Sequence, residues 1–280
     1  MSHGNEISRA GSDFRSHTHP ANKALCERRR KANLSVLFGK PDWQRRGLRA
    51  SISAMSGRFT LIFETSTPQA SIATVESSGT PKQLNFTSDR SHNAVLFAPL
   101  KELLDGMGEG AIELVLVGSG PGSYSGTRVG IAAAQGVAIA RGCPAVAVPS
   151  ILAVPSARGG ACLAIGDARR GSFWTSRIEG HRLIAEPELT DEAGLLSLVT
   201  ETFQGGGTVF TFDEPSRYPL PSQLQEQVRL EVPDANRLWE AWSANPPEVR
   251  RLWQNAVPQP LYLRPPHITP ATRPWLLRNE

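Results

Sequence analysis

The stretch that decides the fold is IELVLVGSGPGSYSGTRVGIAAAQGVA, residues 112–138. It begins with a continuous apolar run bounded by glycine, which is typical of a strand buried on both faces of a sheet. A turn rich in glycine and serine follows, and an alanine-rich segment then predicts a helix over about 125–141. Strand, turn and helix in this order are the building unit of an α/β fold.

The rest of the body alternates strands and helices in the same way. The predicted strands cover residues 59–63, 70–76, 82–87, 112–120, 145–150, 161–168, 172–179 and 207–212. The predicted helices cover residues 91–104, 125–141, 150–157 and 190–203. Pro99 lies inside the first of these helices and is expected to kink or break it. The series starts again after residue 150, which predicts two α/β lobes in tandem with a boundary near 148–152.

The domain organisation follows from charge as well as from pattern. Residues 1–54 carry a net charge of +7 and the remaining 226 residues a net charge of −3. We expect 1–54 to be a disordered or non-native leader, with translation starting at Met55. A basic arm that helps to hold RNA and a transit peptide are the alternatives. The predicted lobes are then 55–150 and 151–280, the second ending in a proline-rich tail.

Composition narrows the class of protein. Apolar residues make up 40% and charged residues 20% of the chain, as in ordinary globular proteins. No apolar run approaches the roughly 18 residues that span a bilayer, and the N-terminus has no signal-peptide pattern. Cys26, Cys143 and Cys162 are far apart and lie in no CxxC motif. These features predict a cytoplasmic protein with no membrane partner, no disulfide framework and no zinc site.

Four landmarks now point to one family. The segment GPGSYSGTRVGIAAAQGVA, LIFETSTPQASIA (61–73), GDARRGSFW (166–174) and PLYLRPP (260–266) agree in order and spacing with those of the TsaB (YeaZ) family. The chain resembles this family over about 58–266. The resemblance implies the two-lobed fold of actin, Hsp70 and sugar kinases, the ASKHA or ribonuclease H-like fold, with a reduced second lobe.

The resemblance also implies a function. TsaB-like proteins act with TsaD and the ATPase TsaE to make N6-threonylcarbamoyladenosine in tRNA, and TsaD carries out the transfer. The chain is therefore expected to be a non-catalytic partner subunit with no cofactor of its own. ATP would be handled by the partner subunits, and tRNA would be met through the complex. The alternatives are a small ATP-dependent kinase or ATPase of the same fold and, third, a glycoprotease-type metallopeptidase.

The nucleotide site of the fold is expected to be vestigial here. Glu64 stands where the family more often has Asp, and Ser172 stands where Glu is usual. We expect Glu64 to hydrogen-bond its own turn, Gly120 and Gly122 to shape the strand-to-helix turn, and Ser123 or Ser125 to cap the helix. The residues of this possible vestigial site are Glu64, Thr65, Gly120, Gly122, Ser123, Asp167 and Arg169.

Catalytic and metal-binding residues are not expected. The TsaD branch binds its metal through two histidines one helical turn apart, whereas His92 is followed by Val95 and Leu96 at those positions. The sequence has no P-loop motif and no G-x-S-x-G elbow.

The two helices of the first lobe are the predicted docking surface. Small residues let a second helix approach closely, and an alanine-rich helix can be apolar on two faces. The resemblance implies that these helices pack against the matching pair of TsaD; the same surface also suits a homodimer. We expect Gly126 and Gly130 to help keep it flat. The predicted contact residues are His92, Leu96, Leu100, Leu103, Ser125, Arg128, Val129, Ala132, Ala133 and Gly136.

Overall fold

The computed structural model describes residues 57–77, 79–87 and 92–263, and for residues 92–94 it describes the backbone alone. The predicted leader, residues 1–54, and Met55 lie outside the described residues. Within the described ranges, the helices are too short or too polar to cross a membrane.

The first sheet has five strands in the order β3-β2-β1-β4-β5. They are β1 (Arg58–Glu64), β2 (Gln69–Glu76), β3 (Lys82–Thr87), β4 (Ala111–Gly118) and β5 (Ala145–Val148). The hairpin strands β1, β2 and β3 pair antiparallel, whereas β1, β4 and β5 pair parallel. Leu116 pairs with Ile62 in the centre, and both side chains are fully buried, as expected for strands covered on both faces.

Helices α1 (His92–Gly106) and α2 (Tyr124–Arg141) cover one face of this sheet. Leu96, Leu103 and Ile131 pack there against Leu61 and Val115. Helix α1 continues through Pro99, so the helix is not broken there, and a kink at Pro99 stays a prediction. A proline in a helix removes one backbone hydrogen bond, and here the burial of leucines on both sides of it holds the helix together.

The second sheet repeats the order of the first. Its strands are β6 (Cys162–Asp167), β7 (Phe173–Glu179), β8 (Arg182–Leu183), β9 (Glu188–Thr190), β10 (Thr208–Thr211) and β11 (Arg229–Leu230). Strands β6 and β7 form the hairpin, β10 and β11 add in parallel on one side, and β8 and β9 pair with β7 on the other. Helix α3 (Glu192–Gln204) packs against this sheet. The predicted two-lobed α/β fold is confirmed.

The segment after β10 was expected to end in a proline-rich tail, but it contains helices. They are α4 (Ser222–Gln225), α5 (Ala235–Ala244) and α6 (Pro247–Asn255). On α5, Leu238 and Trp242 pack on the first sheet, while Ala241 packs with the core of the second. The predicted helix at 150–157 consists instead of two 3₁₀ turns, Ser150–Leu152 and Pro155–Arg158. The domain bounds drawn from the sequence stay a prediction.

Candidate functional site

A cleft of about 880 Å³ lies where turns of the two sheets meet. The β1–β2 turn supplies one wall, the glycine-rich turn before α2 a second, and the β6–β7 turn a third. A segment near the C-terminus completes the lining. The lining residues are Ser66, Thr67, Pro68, Pro121, Gly122, Ser123, Tyr124, Arg128, Asp167, Ala168, Arg169, Trp174, Phe212, Asp213, Leu261, Tyr262 and Leu263.

Glu64, the acidic residue of the first turn, lies behind the cleft wall. Its side chain is fully buried, and its Oε1 accepts a hydrogen bond of 2.8 Å from the backbone N–H of Ser66. Among the described residues, its Oε2 has no hydrogen-bond partner. Burial raises the pKa of Glu64, and the hydrogen bonds from Ser66 only partly offset that effect. The carboxyl group therefore serves the turn and does not face the cleft.

The glycine-rich turn packs directly on the first turn. The backbone N–H of Ser123 donates to the carbonyl of Ser66 at 2.6 Å, and a Cβ on Gly122 would lie 2.2 Å from that carbonyl oxygen. Only glycine fits there. The Ser123 hydroxyl caps α2 by accepting from the Gly126 N–H at 3.2 Å. Gly120 has a φ of +85° and precedes a cis peptide bond to Pro121.

Thr65 connects the β1–β2 turn to α2. Its hydroxyl donates to the Gly126 carbonyl at 2.8 Å, and a Cβ on Gly130 would lie 2.2 Å from its Oγ1. Gly126 and Gly130 are both buried. The expectation that they flatten the outer surface of α2 is therefore wrong, because they admit the first turn on the inner side.

Asp167 holds the β6–β7 turn through its own hydrogen bonds, as Glu64 holds the β1–β2 turn. Its Oδ1 accepts from the Arg169 N–H at 2.6 Å, and its Oδ2 lies 3.3 Å from the Arg169 guanidinium and 3.8 Å from that of Arg217. Arg169, Arg170 and Gly171 have φ values of 68°, 59° and 68°, a left-handed run that side chains rarely adopt. The turn thus leaves Arg169 and Arg170 exposed, and Arg169 lines the cleft. The vestigial nucleotide site stays a prediction.

Metal and thiol groups are placed as follows. Within the described ranges, no group of three His, Cys, Asp or Glu side chains could hold a metal ion. Burial raises the pKa of Cys162 to about 12 and also raises the pKa of Cys143. A thiol is nucleophilic as its thiolate, so these two cysteines are not activated.

An apolar groove lies on the outer side of α1 and α2. One hollow of about 790 Å³ is lined by Phe97, Leu100, Arg128, Val129, Ala132, Ala133, Gly136, Val137 and Ala140. A second hollow of similar size is lined by Phe97, Leu100, Lys101, Leu104, Asp105, Gly108 and Arg141. Phe97 stands between the two hollows and is 60% exposed. We call these two hollows together the docking groove.

The structure separates the predicted contact residues into three sets. Leu100, Arg128, Val129, Ala132, Ala133 and Gly136 line the docking groove. Leu96 and Leu103 are buried in the core of the first lobe, so in the single chain they support the groove from beneath. Ser125 is exposed at the start of α2, and the side chain of His92 lies outside the described residues. Their roles in docking stay predictions.

Two features of this region were not predicted from the sequence. Phe97 does not follow the spacing of the buried leucines of α1, so it lies on the outer face of the helix. A large aromatic residue at such a position was the sequence signal that could have indicated an exposed binding face. The second is the C-terminal segment: Arg128 Nε and Nη2 donate to Tyr262 Oη at 3.1 and 2.7 Å. The guanidinium of Arg128 also stacks on the ring of Tyr124 at 3.7 Å.

Comparisons with known proteins agree with the landmarks. The family model of TsaD, tRNA N6-adenosine threonylcarbamoyltransferase, matches residues 86–199. The tRNA threonylcarbamoyladenosine biosynthesis protein TsaB of Haemophilus influenzae is 30% identical over 99 residues, which cover 35% of this chain. Those residues span 42% of the length of that relative.

One solved structure shows the same fold. A Pseudomonas aeruginosa protein described as similar to peptidase YEAZ superposes with a TM-score of 0.57 at 21% identity, covering 74% of this chain and all of that one. YeaZ from Pseudomonas aeruginosa has a TM-score of 0.49 at 22% identity, covering 66% of this chain and 91% of that one. With the four sequence landmarks, these matches show that the chain is similar to TsaB/YeaZ and TsaD proteins over part of its length.

Proposed function

We propose that the chain is a non-catalytic partner subunit of the machinery that makes N6-threonylcarbamoyladenosine in tRNA. In this proposal it docks the transferase subunit TsaD through the docking groove and acts together with the ATPase TsaE. The observation that carries the proposal is the groove itself: an exposed apolar face of α1 and α2 with Phe97 at its centre, in a chain that is similar to TsaB over part of its length. Exposed apolar patches of this kind mark protein interaction sites.

The arrangement of residues at the cleft supports a non-catalytic role for the chain. A kinase or ATPase needs a carboxylate that faces the phosphates and their metal ion. The carboxyl group of Glu64 is instead fully buried and bonded to its own turn, with a raised pKa that favours the neutral form. The same point disfavours the alternative of an ATP-dependent enzyme. The ATP used by the machinery is assigned to the partner subunits.

The direct test is reconstitution. Modification of tRNA is measured with purified TsaD, TsaE, ATP and the threonylcarbamoyl precursor, with and without the full chain. The proposal predicts that omission of the chain lowers the rate at least tenfold, and an unchanged rate would refute it. Calorimetry of the chain alone with magnesium–ATP separates the enzyme alternative, which predicts binding at millimolar nucleotide or below.

A further inference from the structure

Arg128 belongs to the docking groove and to the cleft at the same time. It lies one turn into α2, where Tyr124 stacks on one side of its guanidinium and Tyr262 accepts its hydrogen bonds. A long, flexible side chain is thereby held in one position on an exposed surface. Fixing it in advance lowers the entropy lost when a partner binds it.

The segment 258–263, which we call the strap, is itself fastened to the first lobe. The backbone N–H of Leu261 donates to the Ser119 carbonyl at 2.9 Å. Gln135 Nε2, on α2, donates to the Pro258 carbonyl at 3.1 Å. At the far end, Leu263 packs against buried residues of the second lobe. The strap therefore runs beside α2 and places Tyr262 next to Arg128.

The charge of Arg128 is left uncompensated by these contacts. Its described partners, Tyr124 and Tyr262, are neutral phenols, and the rest of its hollow is lined by apolar side chains. Arg141 stands beside the other hollow, about 20 Å away along α2. An apolar groove with a cation at each end is complementary to a helix that has small apolar residues along one face and a carboxylate near its end.

We propose that Arg128, positioned by Tyr262 of the strap, is the specificity-determining cation of the docking groove and pairs with an acidic side chain on a helix of the partner. The strap is then part of the docking surface. This inference rests on the proposed function for the identity of the partner, and it adds the chemistry by which the partner is recognised.

A second copy of the chain fits the groove less well. Helix α2 has two arginines and no acidic residue, so a copy would bring a like charge to the groove. On α1 a copy would offer Asp105, which is already paired with Lys101, and Glu102, which lines neither hollow of the docking groove. The missing carboxylate is therefore expected on a different protein.

The test uses the full chain and purified TsaD, with the dissociation constant measured at low and at physiological salt. Four variants are compared: Arg128→Gln, Arg128→Lys, Tyr262→Phe, and Arg251→Gln as a control that removes an exposed arginine from α6. Tyr262→Phe keeps the ring and removes the acceptor. Hydrogen exchange at the Leu261 amide is followed in the free chain and in the complex, because this amide reports on the strap.

We expect Arg128→Gln to weaken binding about fivefold or more and to flatten the salt dependence. Arg128→Lys should keep the salt dependence, and Tyr262→Phe should weaken binding about threefold with faster exchange at Leu261. Arg251→Gln should match the wild type. TsaD should slow exchange at Leu261 severalfold.

Three results overturn the inference in different ways. Equal affinities of Arg128→Gln and Arg251→Gln, with binding still abolished by Ala132→Asp in the groove, would refute the role of Arg128 and leave the docking proposal standing. Absence of binding by the wild-type chain would refute the proposed function, and this inference with it. Self-association that is lost in Arg128→Gln would assign the groove to a second copy and refute the choice of partner.

Discussion

The buried carboxyl group of Glu64 bears on both the stability of the fold and the proposed function. It comes at the end of β1, where its side chain is buried and one of its carboxylate oxygens has no partner among the described residues. A buried, unpaired carboxylate oxygen costs stability when it is ionised. That cost makes the state of Glu64 measurable.

We therefore predict that Glu64→Gln stabilises the chain at neutral pH. Because burial raises the pKa of Glu64, the folded chain holds the proton at pH values where the unfolded chain, with a pKa of 4.5, has lost it. Stability is thus lost as pH rises through this range, and the cost is absent below it. The gain in unfolding free energy should be about 1–3 kcal/mol near pH 7.5 and close to zero near pH 4. Urea denaturation at both pH values checks this, and an equal gain at both would contradict it.

Two glycines of α2 form a matched pair. A Cβ on Gly130 would lie 2.2 Å from Thr65 Oγ1, whereas one on Gly136 would meet nothing within 4 Å. Gly130→Ala should lower the unfolding free energy by about 1–3 kcal/mol, because Thr65 must move and loses its bond to α2. Gly136→Ala should raise it by up to about 1 kcal/mol through helix propensity. Thermal and urea unfolding compare the two; similar effects would contradict the packing of the first turn on α2.

At the scale of elements, helix α5 joins the two sheets. Trp242 packs on the first sheet and lies 6.1 Å from Trp253 of α6, ring centre to ring centre. Trp242→Ala should therefore lower the unfolding free energy by about 3–5 kcal/mol. Leu252→Ala, at a position 70% exposed, is the control and should change it by less than about 0.5 kcal/mol. Chemical denaturation of both variants gives the comparison, and a small effect of Trp242→Ala would mean that α5 is not a structural tie.

The elements also show what the sequence could predict. The strands and helices of the first sheet followed from apolar runs and spacing, because each has a strong local pattern. Helix α5 was missed although Ala235, Leu238 and Trp242 recur at helical spacing after the cap Asp234. The prolines on either side made the region look like a tail. Of the kink or break expected at Pro99, the break does not occur, because tertiary burial outweighs one lost hydrogen bond.

In the whole molecule, the position of the strap could not be predicted from the sequence. Arg128 and Tyr262 are 134 positions apart, and neither lies in a local sequence pattern that predicts the contact between them. Only part of the groove was predicted from the sequence, where small residues on α2 indicated a helix-binding face. In the structure Leu96 and Leu103 are buried beneath the groove, and Phe97 is exposed and lines it. Which face of a helix points outward depends on the sheet it covers, and that is settled only by tertiary packing.

We propose that the docking groove binds TsaD and that modification of tRNA depends on this contact. Ala132→Asp puts a charge in the middle of the groove at an exposed position, and Ala185→Asp makes the same change in the exposed loop between β8 and β9. The measurement is the rate of tRNA threonylcarbamoylation in the reconstituted system with each variant. The docking proposal predicts a loss of at least about tenfold for Ala132→Asp, because a buried unpaired charge is costly, and no loss for Ala185→Asp. Equal rates for the two folded variants would contradict it.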